Sequence, residues 1–542
     1  MSLRKIIEKL AELKSDVKLY PHQQRVLDNP STSQIIAHSV GSGKTLTSIA
    51  KFEKMKREGK AKKALVIVPA GLRENFGHSN VKKFTNSKYN IVGTQQEIKS
   101  KKHGHIDPEA DYNIVSYEMF KKHPEKYLKY SGADTVIADE SHRAKNEGTQ
   151  LTESLKKVRR LYKNHLALTG SVISNSLADI QPLIDVTSGG KHSLGLSKKE
   201  FEEKYIKRSK NPKYKDVAEK RRPIVGFKNE NELKKNLSDY VDYADFESIK
   251  DLAKMPGKNT KVKKVPLTKE QAKLYKQILA KNPAVMKMIK NKRLETLKDE
   301  EAAQAFSRLI EARKLMNSVG SVKPKMTLEE SAEATPKTKK LLDDLTAHLG
   351  SRKDAKALLF SHLISGGTDV LEAGLKQRHI PYGRFLGKGN PGVTEEFRQQ
   401  DVNDYNKGLK KVMLVSSAGG EGLSLNDTTW EGVLDPHYNP EKMKQMEARG
   451  IRSGGLAHLP KEDRNVEVNR YLSTMPTFLG LFHSSIKTPD EFIYDIATHK
   501  NEQNQRLFNL LKQNQEKKNR PKVGDVFRSK TVMPEQSNYS VN

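Results

Sequence analysis

Short apolar runs of β-type residues recur along this chain, and polar, lysine-rich stretches with helical spacing separate them. The first block holds SQIIA (33–37), ALVIVP (64–69), YNIVSY (112–117), TVIAD (135–139) and HLALT (165–169). Strands that are apolar on both faces must be covered on both faces, and intervening helices supply that cover. The pattern therefore predicts a parallel α/β sheet. A second block repeats it: KALLFSHL (356–363), PYGRFLG (381–387), KVMLVSSA (411–418), GVLDPH (432–437) and VNRYLS (468–473). At 542 residues the chain exceeds what one hydrophobic core serves. The expected fold is α/β, with two parallel-sheet lobes in tandem, the first at 1–185 and the second at 336–512. Between them, 186–335 is rich in Lys and Glu and reads as helical insertions and an interlobe linker. The segment 513–542 reads as a basic polar tail, flexible unless it docks.

Parallel sheets gather ligands at the carboxyl ends of their strands. HSVGSGKT (38–45) follows the first run and opens TLTSIAKFEKMK, which has Leu46, Ile49 and Phe52 on one face. A glycine-rich turn between strand and helix is the setting of a phosphate-binding loop. Gly41 and Gly43 let the backbone around Ser42 turn its N–H groups toward a β-phosphate. Lys44 would reach the β- and γ-phosphates, and the Thr45 hydroxyl would ligate magnesium. His38 stands where the full GxxxxGK[ST] pattern begins with glycine, so the loop is a variant. TVIAD ends in Asp139, followed by Glu140. Asp139 can hold magnesium through water, and Glu140 can take a proton from an attacking water. Two adjacent carboxylates repel each other unless a cation sits nearby. His142 reads either as a link from this site to the other lobe or as a surface histidine. Gln23, in LYPHQ (19–23), carries an amide able to donate to and accept from an adenine edge.

Three more segments follow in order: LTGSVISN (168–175), SSAGGEGLSL (416–425) and QMEARGIR (445–452). Gln445, Arg449 and Arg452 lie at i, i+4 and i+7 and would share one helix face. Gly419, Gly420 and Gly422 allow close backbone approach near an ATP cleft. Ser416 and Ser417 can contact a phosphodiester. The formal net charge of +32 favours polyanion partners. With no cysteine, disulfides, thiolate metal sites and cysteine nucleophiles are excluded. The N-terminus lacks a signal-peptide run and no stretch approaches 18 apolar residues, so an intracellular, cytoplasmic protein without membrane contact is expected. KKNRPK (517–522) reads as a solvated charge run or as a nuclear address.

With these residues in this order, the chain resembles helicase superfamily two and, within it, the Swi/Snf-type DNA translocases. LYPHQ is similar to the family's adenine-reading motif, HSVGSGKT to its phosphate loop, ADESHRAKN (138–146) to its acidic box and LTGSVISNSLADI (168–180) to its coupling motif. SSAGGEGLSLN (416–426) resembles the fifth motif, DPHYNPEKMKQMEARGIRSG (435–454) the stretch reaching the sixth, and KTPDEFIYDIATHK (487–500) the C-terminal brace. The resemblance spans about residues 17–510. It implies two RecA-like lobes, ATP and Mg2+ as cofactors, and DNA as partner, duplex before single-stranded and before RNA. It makes Arg449 and Arg452 arginine fingers that reach the γ-phosphate when the lobes close, where a guanidinium fork stabilises the transferring group. Thr169 and Ser171 would couple the two sites. Strand contacts would come from Pro69, Gly71, Ser116 and Tyr117 in lobe one, and from Ser361, His362, Ser416 and Ser417 in lobe two. Such phosphate contacts carry no sequence information. The chain departs from the branch at His38–Ser39, which replace an acidic pair and resemble restriction-enzyme motor subunits. It departs again at Ser141, Val172 and Ser453–Gly454–Gly455. A virus- or phage-encoded member fits these departures.

The expected function is an ATP-dependent motor that moves on duplex DNA and remodels DNA or protein–DNA complexes. The rivals are a strand-separating DNA or RNA helicase and the motor subunit of a restriction-type system. A non-catalytic nucleic-acid clamp switched by ATP is the rival from another class.

Overall fold

The structure, a computed structural model, describes residues 13–14, 17–93, 105–170, 173, 176–192, 194, 197–249, 255–290, 307–387, 394–417, 423, 425–452, 454–476 and 486–519. Its first lobe is built on β1 (Gln34–His38), β2 (Ala64–Val68), β3 (Tyr89–Ile91), β4 (Tyr112–Ser116), β5 (Thr135–Ala138) and β6 (Asn164–Thr169). A small antiparallel pair follows, β7 (Ile206–Arg208) with β8 (Ile224–Phe227), and then β9 (Val241–Ala244). The strands of the second lobe are β10 (Gly257–Pro266), β11 (Ala357–Ser361), β12 (Tyr382–Phe385), β13 (Val412–Ser416), β14 (Trp430–Val433) and β15 (Asn465–Thr474). Seven strands form the first sheet in the order β3-β4-β2-β5-β6-β1-β9, and six form the second in the order β10-β15-β14-β11-β13-β12. Every pairing within these two sheets is parallel.

The cause is the double-faced apolarity of the strands. β1, β2, β4, β5 and β6 are buried at every position. Ile35, Leu65, Ile67 and Val136 point into one core, and their neighbours Ile36, Val66, Val68 and Ile137 into another on the opposite face. The second sheet divides likewise, with Leu359 and Leu414 on one side and Leu358, Phe360 and Val415 on the other. Each such side chain contributes about 1.5–3 kcal/mol on leaving water. The two-lobe α/β expectation matches this arrangement.

The stretch 186–335, expected to be helical, also supplies a strand to each sheet. β9 pairs with β1, and β10 forms a ten-residue ladder with β15. β10 reads GKNTKVKKVP and is half-buried to exposed along its length, so its partner's backbone, and not apolar content, fixes it. Lysines on such an edge also discourage pairing with another chain. The tail expected from residue 513 begins inside the helix Pro489–Asn519. Residues 520–542, with the last part of the KKNRPK run, lie outside the described residues.

That last helix of 31 residues would span about 46 Å at 1.5 Å per residue. Its beginning packs Phe492, Ile493 and Ile496 with Tyr275 and Leu315 of the helical insertion. Its end packs Leu507, Phe508, Leu510 and Leu511 into the first lobe's core. Asn514 donates to the Lys234 carbonyl at 2.9 Å, and Phe508 stacks on Tyr243 with centroids 5.9 Å apart. The helix is a strut between the lobes. Among the described residues no helix is long and apolar enough to cross a membrane.

Candidate active site

β1 ends at His38, and the chain turns through Ser39–Gly43 into the helix Lys44–Arg57. Gly41 and Gly43 have φ of +82° and +80°, left-handed values that glycine adopts without strain. Gly41 also has no room for a side chain. A Cβ there would stand 2.9 Å from Met255 Cε and 3.2 Å from the Ile451 carbonyl oxygen. The phosphate loop therefore lies directly against the arginine segment of the second lobe. Lys44 Nζ donates to the His38 and Ser39 carbonyls at 2.9 and 3.1 Å. Burial pulls its ammonium down from the usual lysine range, Glu140 and Asp139 push it back up, and Arg452 and Arg449 oppose them. Thr45 is the second residue of the helix, and Ser42 beside it is buried with an Oγ that has no hydrogen-bond partner.

Asp139 and Glu140 follow β5 at the same cleft. Glu140 sits at φ +51°, a left-handed position for a residue with a side chain, and its N–H donates to Asp139 Oδ1 at 2.8 Å. Burial, and then the Glu140 charge, push the Asp139 carboxyl up to about 7. Burial also opposes the Glu140 charge, but His142, Lys44 and Arg449 outweigh it and hold that carboxyl down at about 2. The two titrate as a pair. His142 Nδ1 lies 3.3 Å from Glu140 Oε2 and 3.4 Å from Thr169 Oγ1. The expected coupling residues His142 and Thr169 thus meet at the acid pair. Ser171 lies outside the described residues, as do Gly419, Gly420 and Gly422.

From the second lobe, the helix Pro440–Glu447 and the turn after it carry Gln445, Arg449 and Arg452. Because that helix ends at Glu447, the two arginines sit beyond it and not on one continuous helix face. Arg452 donates to the Leu423 carbonyl, and its Nε has no hydrogen-bond partner. Burial and the Arg449 charge pull its guanidinium down to about 9, with Glu140 across the cleft acting the other way. Behind the turn, Arg470 grips Glu447 through two bonds of 2.7 and 2.9 Å, and Lys258 pairs with the same carboxylate. Gln445 lines an interlobe cavity of about 470 Å3 together with Val40, Tyr243, Met255 and Phe508.

The variant first position of the loop has a structural reason. His38 Nε2 lies 2.7 Å from Asp242 Oδ1 on β9, and Arg25 holds the same carboxylate through bonds of 3.0 and 2.8 Å. His22 Nε2 meets the Ser42 carbonyl at 3.0 Å, and its ring stands edge-on to His38. Burial works against the Asp242 charge, yet His38 and Arg25 hold the carboxyl far below the usual range. Sequence reasoning missed Asp242, Arg25 and His22. The one signal was an aspartate inside the short run VDYA (241–244).

Several expectations need correction. Gln23, expected to read adenine, meets the loop in this structure: its amide nitrogen reaches the Ser42 and Gly43 carbonyls at 3.3 Å each, and its oxygen accepts from Tyr20 N at 2.8 Å. It braces the loop. Tyr117 was assigned to DNA, but it is buried and donates its hydroxyl to the Asp139 carbonyl at 2.7 Å. Ser116 caps the short helix Tyr117–Phe120. Ser361 donates to Asp435 Oδ2 at 2.8 Å, and Ser416 accepts from Gly387 N at 3.2 Å; both are buried. Pro69 is buried, and the His362 ring packs edge-on against Phe360. Of the eight expected strand contacts, only Gly71 and Ser417 are exposed.

The SNF2-related domain matches residues 21–321, and the helicase conserved C-terminal domain matches 337–454. A protein of Acanthamoeba polyphaga mimivirus whose name includes "ATP-dependent RNA helicase" is 23% identical over 461 residues, covering 84% of this chain and 89% of that protein. The DNA repair and recombination protein RAD54 of Oryza sativa is 24% identical over 486 residues, 82% of this chain and 47% of that protein. The chain thus spans nearly all of the viral relative and about half of the plant one. The solved SWI2/SNF2 ATPase core of Sulfolobus solfataricus with double-stranded DNA is 18% identical with a TM-score of 0.36, covering 84% of this chain and 88% of that one. The chain belongs to the SNF2-related family of helicase superfamily two, a family of nucleic-acid-dependent ATPases.

Proposed function

We propose that this chain is an ATP- and Mg2+-dependent motor that moves along duplex DNA and remodels DNA or its protein complexes. The observation that carries the reading is the approach of Arg449 and Arg452 from one lobe to Lys44, Asp139 and Glu140 of the other. The site's own polar groups fit a polyanion with a divalent cation. Ser42 Oγ, Arg452 Nε and Glu140 Oε2 are buried without hydrogen-bond partners, and a cation would relieve the repulsion of the two adjacent carboxylates. Bound magnesium would offset phosphate charge, with Thr45 and Asp139 as its protein ligands. Lys44 would leave the His38 and Ser39 carbonyls for the β- and γ-phosphates. Glu140, already ionised, would accept the proton of the attacking water. Arg449 and Arg452 would stabilise charge on the transferring group, and His142 with Thr169 would pass the state of Glu140 to β6. Gly71 and Ser417, one in each lobe, are the remaining candidates for strand contact. A DNA repair relative, RAD54 of Oryza sativa, supports DNA as the track. The working unit would be lobe one at 1–185, the linker at 186–335 and lobe two at 336–512.

The RNA-helicase wording in the viral relative's name favours one second reading, an RNA-directed motor. Steady-state ATPase with no nucleic acid, single-stranded DNA, duplex DNA and RNA separates the two, with Lys44→Ala as blank. The proposal expects stimulation chiefly by duplex DNA, together with displacement of a third strand from a triplex. Stimulation by RNA alone would replace it with the second reading.

A further inference from the structure

Between β7 and β8 the chain makes a protruding loop. Residues 207–222 hold eight basic side chains and two acidic ones, Asp216 and Glu219. No other role described above uses them. Five of the lysines, Lys207, Lys210, Lys213, Lys215 and Lys220, are exposed.

The loop is built, not slack. Arg208 donates to the Arg222 carbonyl at 3.0 Å and pairs with Glu202 at 2.8 Å. Arg222 Nε donates to the Val217 carbonyl at 2.9 Å. Asn211 caps the turn Pro212–Tyr214, and Tyr214 is buried at the centre of the loop. At its base Arg506 of the strut helix donates to the Val225 carbonyl at 3.1 Å. Two arginines and a tyrosine thus hold the backbone, Lys213 lies over the Tyr214 ring at 4.6 Å, and Lys207, Lys210, Lys215 and Lys220 stand exposed around them. Like charges at this density repel each other and disfavour the fold unless a polyanion neutralises them. The segment KKEFEEKY (198–205) just before it differs, interleaving its lysines with glutamates on a helix.

We propose that this basic loop is an auxiliary contact for the phosphate backbone of duplex DNA, separate from the track between the lobes. The inference rests on the motor reading above. Evenly spaced phosphates along a duplex suit lysines carried on a hydrogen-bonded loop, because less backbone entropy is left to lose on binding. The contact would be indifferent to sequence and would raise DNA affinity and time on the track without touching the ATP site.

The test is a variant with Lys207, Lys210, Lys215 and Lys220 all changed to Gln, and a matched variant with all four changed to Arg. Binding of a labelled duplex is followed against salt. Each lysine on a phosphate contributes about 0.9 to the slope of log affinity against log salt, so the Gln variant should lose up to about 3.6 of that slope. The Arg variant should keep it, and ATPase without DNA should be unchanged in both. If wild type is stimulated by duplex DNA but the Gln variant keeps its slope and affinity, the loop inference fails and the motor reading stands. If the slope changes only for RNA, the commitment to DNA is overturned. If wild type has no affinity for duplex DNA, both proposals fall.

Discussion

At the cleft, several charges of the first lobe are already partnered. Lys44 rests on two carbonyls, Glu140 sits beside His142, and Asp242 lies in the fork of Arg25. In the second lobe, Arg449 and Arg452 crowd each other, and the acid behind them, Glu447, is spent on Arg470 and Lys258. Burial pushes the carboxyl of Glu431, nearby, well above the usual range. For Arg452 the acid that matters is Glu140, across the cleft. The first lobe therefore holds the groups of a binding site, whereas the acid acting on Arg452 of the second lies across the cleft. Binding and hydrolysis should then be separable by mutation.

The largest effect should fall on turnover from the second lobe. Arg452→Ala should lower kcat by about 10³–10⁵, the usual worth of an arginine finger, and a steady-state assay at saturating ATP reads it directly. A loss below tenfold would erase the contrast between the lobes.

Next, the contrast predicts that the first lobe's network holds the fold as well as the loop. Asp242→Asn should cost about 1–3 kcal/mol at pH 7, measured by urea unfolding, because Arg25 and His38 lose a charged partner. The sign with pH is set by the depressed Asp242 carboxyl. Its contribution is full above the unfolded value near 3.9 and is lost as pH falls below it. The gap between variant and wild type should therefore narrow in acid. A gap that widens would mean the carboxyl is neutral in the fold.

A smaller effect concerns magnesium. Because Asp139 is held at about 7 before any cation binds, a proton competes for it. Half-saturating Mg2+ for ATPase should rise about tenfold from pH 8 to pH 6. A flat profile would show that Asp139 is already ionised.

How much of this was legible in the sequence differs by region. GSGKT and Asp139–Glu140 stood out because their chemistry is local: adjacent residues at a strand end do the work. His38–Asp242 was hidden because its partners lie 204 positions apart. β10 was hidden because an edge strand is held by its neighbour's backbone, which leaves Val and Lys free to alternate. Ser116 and Ser361 were misread for a different reason. A hydroxyl at a strand end suits a phosphate, but it equally suits the unpaired backbone groups of the next turn, and here the turn claims it. Tyr117→Phe checks that correction at the smallest scale. It should cost about 1 kcal/mol of stability through the lost bond to the Asp139 carbonyl, with DNA affinity unchanged. A drop in DNA affinity would return the hydroxyl to the track.

The most direct test of the division between the lobes is equilibrium ATP binding with Mg2+ on Arg452→Ala and Lys44→Ala, side by side with wild type. The account predicts that Arg452→Ala binds ATP within about threefold of wild type despite its lost turnover, while Lys44→Ala loses binding and turnover together. Equal loss of ATP affinity in both variants would contradict it, because the arginines would then belong to the binding site and not to the hydrolytic step.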